Sequence, residues 1–330
     1  MTLRVLTWHV HGSYLYYLSQ TPVEFILPVK EGRPEGYGGR SGPFPWPRNV
    51  VEVPADSVRD LDFDCVLFQS RKNWLEDQHA ILSAAQLGLP RIYLEHDPPL
   101  EHPASTKHIV DDPNVLLVHV TPFNDLMWDS GATPTRVIDH GVIVRDGVQY
   151  TGDIARGITV VNSLGRRGRR LGPDVFEHAR QQVPLDLVGM NSLEMRGLGE
   201  VPHDALPALQ ARYRFFFNPI RYTSMGLAVC EAMMLGMPIV GLATTEMARA
   251  IDDGRSGFVD TNVDRLIDCM QALLRHPALA HHLGREARRA ALERFNIQRF
   301  TADWLRAFED LTGRRTSQAL SYPTAAAGGS

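Results

Sequence analysis

The sequence predicts an α/β protein made of two parallel-sheet domains, and three observations support this. Short apolar runs alternate with longer amphipathic ones through both halves, as strands and crossover helices do. The chain has 330 residues, too many for one ordinary core. A polar stretch without periodicity, 145–157, carries three glycines and separates the two alternating sets as a linker. The expected domains are therefore 1–150 and 151–313, followed by a small-residue tail, 314–330, that reads as disordered.

In the first half, strands are expected at 3–8, 24–28, 50–53, 65–68, 91–94, 115–118 and 136–138. The clearest helical pattern between them is 73–87. Residues 31–48 are rich in Gly, Pro and Arg and read as a long loop. In the second half, strands are expected at 158–161, 185–188, 213–217 and 239–242, with helices near 174–182, 203–211 and 226–235. The remainder reads as helical at 263–274, 278–294 and 297–311.

Composition excludes several classes. Hydrophobic residues are 44% and charged residues 22%, ordinary for a globular protein, and the net charge of −4 gives no general pull toward nucleic acid. Cys65, Cys230 and Cys269 are widely spaced and form neither a disulfide framework nor a zinc pattern, which fits a cytoplasmic protein. No segment is long and apolar enough to span a bilayer, so membrane association, if any, is peripheral. The chain carries no Gly-Lys-Ser/Thr phosphate loop, no GxGxxG and no Gly-x-Ser-x-Gly elbow.

Open parallel sheets bind ligands beyond the carboxyl ends of their strands, so the chemistry is sought there. Glu231 is the one charged residue of the apolar segment 225–238, and a carboxylate in such a helix calls for a hydroxyl-rich or donor-bearing partner. Gly226 precedes it, where backbone N–H groups at a helix start attract phosphate. The loop after the strand at 158–161 holds Arg166, Arg167, Arg169 and Arg170 among glycines, which suits an anion. Gly189 follows the strand at 185–188. In the first half, His9, His11 and Gly12 follow the first strand, and Glu95, His96 and Asp97 follow the strand at 91–94. Each feature has a bland alternative: a satisfied core carboxylate, a solvated basic loop, structural histidines. Their common placement at strand ends favours a ligand cleft between the domains.

The segment from Val188 to Asp260 resembles the nucleotide-sugar-binding half of retaining glycosyltransferases with the GT-B fold, the group 1 or "family four" type. The resemblance rests on Gly189 after its strand, on Gly199, Val201 and Pro202, on the run from Asn218 through Thr223, Ser224, Met225, Gly226 and Leu227 to Glu231, on Gly236-Met237-Pro238, and on Asp253-Gly254 with Gly257. A weaker match covers Asp139-His140-Gly141-Val142 and His96.

The resemblance implies GT-B architecture, with two Rossmann-like domains facing across a cleft and the last helix, 297–311, crossing back to the first domain. It implies a retaining glycosyltransferase that moves sugar from a nucleotide-sugar donor to a glycan, lipid-linked or small-molecule acceptor, with no metal or other cofactor. Glu231 would hold the ribose diol, and Ser224, Met225, Gly226 and Leu227 would surround the diphosphate. Gly12 and Gly189 would face the donor, and His96 would approach its sugar. Catalytic roles fall to His96, Arg166 and Arg170, with Arg167 in diphosphate binding. Two positions depart from the pattern: Thr223 stands where a glutamate is usual, and Leu171 where a lysine is usual. The alternatives are a non-catalytic nucleotide-sugar-binding GT-B protein and a sugar-nucleotide epimerase.

Overall fold

The computed structural model describes residues 2–144 and 147–316. The expected disordered tail beyond 316 and the first two linker residues, 145 and 146, lie outside the described residues.

The first domain contains β1 (Arg4–Thr7), α1 (Gly12–Leu18), β2 (Glu24–Val29), β3 (Val50–Pro54), β4 (Cys65–Phe68), α2 (Gln78–Ile81), β5 (Arg91–Glu95), β6 (Val115–His119), α3 (Pro122–Met127) and β7 (Thr135–Val137). Its strands pair in parallel in the order β3-β2-β1-β4-β5-β6-β7. The second contains β8 (Ile154–Val160), α4 (Pro173–Arg180), β9 (Leu185–Val188), α5 (Leu206–Gln210), β10 (Tyr213–Asn218), α6 (Leu227–Leu235), β11 (Ile239–Leu242), α7 (Met247–Ala250), β12 (Gly257–Asp260), α8 (Val263–Arg275), α9 (Pro277–Arg294) and α10 (Ile297–Thr312). Its parallel order is β12-β11-β10-β8-β9. Each sheet reverses direction once, between β1 and β4 in the first and between β8 and β10 in the second. Such reversals splay the flanking loops apart and open a crevice at the carboxyl ends of the strands.

Sequence periodicity places eleven of the twelve strands and misses β12, whose glycine-led Gly257–Asp260 is too short and mixed to register as apolar. Other expectations need correction. The helix at 73–87 is broken into a π-type turn, α2 and a 3-10 turn. Ser83 and Gln86 hold one another's backbone N–H groups, which ends one helix and starts the next turn. The helix at 203–211 begins only at Leu206, with Pro207 in the first turn, where its missing N–H costs nothing. The linker is shorter than expected because β8 already begins at Ile154. Segment 12–18, to which no helix was assigned from the sequence, is α1, with Tyr14, Leu15, Tyr17 and Leu18 buried. The short helices α3 and α7 were not anticipated.

α10 lies against α1 of the first domain. Trp304 Nε1 donates to the Tyr14 hydroxyl at 3.1 Å, and Phe308 packs on Phe25 with ring centroids 6.2 Å apart. Arg294 joins the domains, donating to Asp139 and to the buried Glu246 carboxylate. One apolar cluster therefore runs continuously through both domains, from Tyr14 and Phe25 to Trp304 and Val229.

Candidate active site

The two crevices face each other and enclose a cleft of about 430 Å³. Gly12, Ser13 and Phe44 line it from the first domain, and Asn162, Gly189, His203, Leu227 and Glu231 are among its lining from the second. Gly189 has φ +137°, and a Cβ there would fall 2.6 Å from the Val161 carbonyl oxygen, so only glycine fits where β9 leaves the sheet.

α6 starts without a side-chain cap. Gly226, its N-cap, has an extended backbone at φ −68° that suits any residue, and a Cβ would meet nothing within 4 Å. Neither strain nor packing demands glycine here. What remains is open space against an uncapped helix start, which suits an anion. His140, from the end of the first domain, donates from Nε2 to the Met225 carbonyl at 2.8 Å and pins the loop before α6. Thr223 and Ser224 lie in that loop, Ser224 buried and Thr223 half-buried.

Glu231 projects from α6 into the cleft, where burial pushes its carboxyl up from the ordinary value and a hydrogen bond from Tyr17 partly opposes this. Tyr17 reaches over from α1 and donates to Oε1 at 2.7 Å. Beside this pair, Phe44 from the loop 31–48 meets His203 of the second domain with ring centroids 4.9 Å apart. Tyr17, Phe44 and His203 were not singled out from the sequence. The apolar spacing 14, 15, 17, 18 was the available signal for a helix carrying Tyr17.

The arginine loop divides. Arg166 is exposed and bound in bidentate fashion to Glu194, and Arg169 is exposed beside Asp174 at 3.2 Å. Arg166, expected to be catalytic, is engaged at the surface by the partner that the 3-10 turn at Ser192–Met195 supplies. Arg170 is turned inward. Its Nη1 is buried without a hydrogen-bond partner and stands 3.8 Å from Asp97 of the first domain. Arg167 is exposed; the pKa of His11 is lowered chiefly by burial, which Asp97 opposes and the Arg167 charge reinforces. Leu171 is a core residue of the second domain, so its side chain cannot stand in for a ligand-binding lysine. Gly172 at φ +77° would place a Cβ 2.0 Å from the Pro219 carbonyl oxygen, and this contact seats the arginine loop on the loop that precedes α6.

His96 sits against His11, ring centroids 4.2 Å apart, and against Tyr14 at 4.8 Å. Its Nε2 is buried and has no partner. Burial, then the neighbouring imidazoles of His11 and His140, hold its pKa well below the ordinary value, so the ring is neutral at pH 7. A neutral imidazole with an unsatisfied buried nitrogen is suited to a hydrogen bond with a hydroxyl and not to charge stabilisation.

Two reversal-point crevices facing each other, with an open helix start and a carboxylate one turn along, define a GT-B protein. The comparison with solved structures agrees. Sucrose-phosphate synthase from Thermosynechococcus elongatus superposes over 94% of this chain and 99% of its own, with TM-score 0.69 at 15% identity. The Anabaena HepE protein in complex with UDP-glucose superposes over 94% and 100%, with TM-score 0.68 at 12% identity. Within that fold, residues 173–276 match the family model "Glycosyl transferases group 1". Trehalose synthase of Pyrococcus horikoshii is 30% identical over 88 residues, 27% of this chain and 21% of that protein. That of Thermococcus litoralis is 34% identical over 80 residues, 24% of this chain and 19% of that protein. The matched stretch thus spans about a fifth of the length of these relatives. Among the described residues no helix is long and apolar enough to cross a membrane.

Proposed function

We propose that this protein transfers a sugar from a nucleotide-sugar donor to an acceptor hydroxyl with retention of anomeric configuration. The observation that carries this reading is the pairing of an uncapped, open helix start at Gly226 with the cleft-facing carboxylate of Glu231 on the same helix. A diphosphate fits the first and a ribose diol the second. Structural neighbours in complex with UDP or UDP-glucose lend support to a nucleotide-sugar donor.

In this reading the α6 N–H groups and the Arg170 guanidinium stabilise the charge that grows on the departing diphosphate. Both are fixed before the reaction, so they need not reorganise as that charge develops. His96 holds the donor sugar through a hydrogen bond. The acceptor attacks from the face the diphosphate leaves, and the leaving phosphate takes the acceptor proton. No side chain is assigned as nucleophile.

Incubation with a panel of nucleotide sugars tests the proposal. Slow release of nucleoside diphosphate, accelerated by acceptor, supports transfer. Epimer formation would replace it with an epimerase. A second reading, nucleotide-sugar binding without catalysis, is favoured by Thr223, an uncharged residue where the resemblance calls for a carboxylate. Binding without turnover of any donor would establish that reading instead.

A further inference from the structure

A second cavity, of about 300 Å³, opens in the first domain beyond the ends of β4 and β5. It adjoins the donor cleft directly: His11 lines this cavity, and its chain neighbour Gly12 lines the cleft. The volume is at the small end of the range for ligand pockets. Its apolar lining includes Trp128, Pro98 and Leu100. Trp128 is fixed by a hydrogen bond from its indole Nε1 to the Asp97 carbonyl at 2.9 Å and by His108 at 5.0 Å between ring centroids. Three histidines, His11, His96 and His108, are part of the polar lining, and among its charged side chains the acidic ones are in excess. Glu95, Asp97 and Glu101 contribute carboxylates, while Arg71 is its lone lysine or arginine.

Glu95 is held in place. Its Oε2 lies 3.1 Å from His108 Nε2, and its Oε1 accepts the Asp97 backbone N–H at 3.0 Å. Asp97 leans toward Arg170, with 3.8 Å between charged atoms, and among the described residues no hydrogen bond or ion pair engages the Glu101 carboxylate. Carboxylates are acceptors only, so an excess of them around an aromatic wall matches a ligand that brings many hydroxyl donors and an apolar face. The same excess repels phosphate and carboxylate. The volume matches a single ring, so a long lipid or an extended glycan could enter it only by one end.

We propose that this pocket takes the acceptor as a small, uncharged, polyhydroxylated ring, a monosaccharide or cyclitol, bonded through its hydroxyls to Glu95 and Glu101 and lying against Trp128. The assignment rests on the donor-cleft reading and names the acceptor class for it. The ring would present a hydroxyl past His11 and His96 toward the donor.

The experiment measures donor hydrolysis first, then kcat/KM for glucose and myo-inositol against glucose 6-phosphate with the donor fixed. The neutral rings are expected to be used at least about tenfold better than the phosphate ester. Glu101→Lys, an exposed site, should narrow that preference by about tenfold. Trp128→Ala should raise acceptor KM about tenfold while nucleoside diphosphate affinity, which reports an intact fold, is kept. Preference for the phosphate ester, hydrolysis of a donor with no neutral ring glycosylated, or an unmoved preference in Glu101→Lys would overturn the assignment. If no donor is turned over with or without acceptor, the transfer reading fails. Saturation-transfer NMR of myo-inositol then decides the pocket alone: a signal weakened in Glu101→Lys supports it, and no signal overturns it.

Discussion

The Tyr17 hydroxyl of the first domain donates a 2.7 Å hydrogen bond to the Glu231 carboxylate of the second. It takes one acceptor site on Oε1, where a ribose hydroxyl bonded to the same oxygen would compete with it. We propose that a donor bound at Glu231 displaces Tyr17 from that site, at a net cost of about 1 kcal/mol for a typical hydrogen bond. Tyr17→Phe is expected to tighten nucleoside diphosphate binding about fivefold by calorimetry. Weaker binding would mean that Tyr17 contacts the ligand itself.

Glu231→Ala should weaken nucleoside diphosphate binding more than Glu231→Gln. Alanine leaves the ribose hydroxyls unpaired, a loss of roughly 1–3 kcal/mol, whereas glutamine keeps an acceptor. Equal affinities in all three folded proteins would make the carboxylate a structural partner of Tyr17 only.

Among the loop arginines, Arg170→Ala should cost the most in diphosphate affinity, roughly tenfold or more, because its Nη1 is buried and unsatisfied. Arg166→Ala and Arg169→Ala should cost little, since both side chains are exposed and engaged with Glu194 and Asp174. Equal small losses at all of these positions, erased by salt, would reduce the loop to diffuse attraction.

Thr223→Glu should change the relative turnover of different donor sugars and leave affinity for the free nucleoside diphosphate nearly constant. The longer, charged side chain would reach toward the sugar and not toward the helix start. Loss of diphosphate binding in a folded variant would show that Thr223 lies elsewhere in the site.

His140 has its pKa lowered from 6.5 to about 4, chiefly by burial. The unfolded chain therefore takes up this proton at a higher pH than the folded one. The stability that comes from keeping the ring neutral is complete above about pH 6.5 and is lost as pH falls toward 4, by roughly 3 kcal/mol at most. His140→Gln keeps a donor for the Met225 carbonyl and removes the titration. Its melting temperature should fall less than that of the parent between pH 6.5 and 4, and parallel curves would rule the coupling out.

Much of the fold was legible because buried parallel strands are apolar on both faces, as in Phe215-Phe216-Phe217. The short helices were not, since four to seven residues hold too few turns for periodicity to show. The site was legible where a single residue breaks a pattern, as Glu231 does in α6. It was illegible where function depends on what a side chain already touches. The four loop arginines look alike in sequence, and contacts with residues distant along the chain, Glu194 for Arg166 and Asp97 for Arg170, distinguish them. Tyr17 and Phe44 reach the cleft through pairings between domains, which no local spacing encodes.

The placement of α10 has a consequence for synthesis. Trp304 and Phe308 cover Tyr14 and Phe25, elements made almost three hundred residues earlier. During translation the first domain leaves the ribosome with that face bare, and it stays bare until residues 297–312 emerge. A nascent chain stalled anywhere in the second domain exposes aromatic surface meant for its own later helix. The first domain produced alone, as residues 1–144, is expected to be aggregation-prone, and residues 297–312 supplied as a separate peptide are expected to restore its solubility.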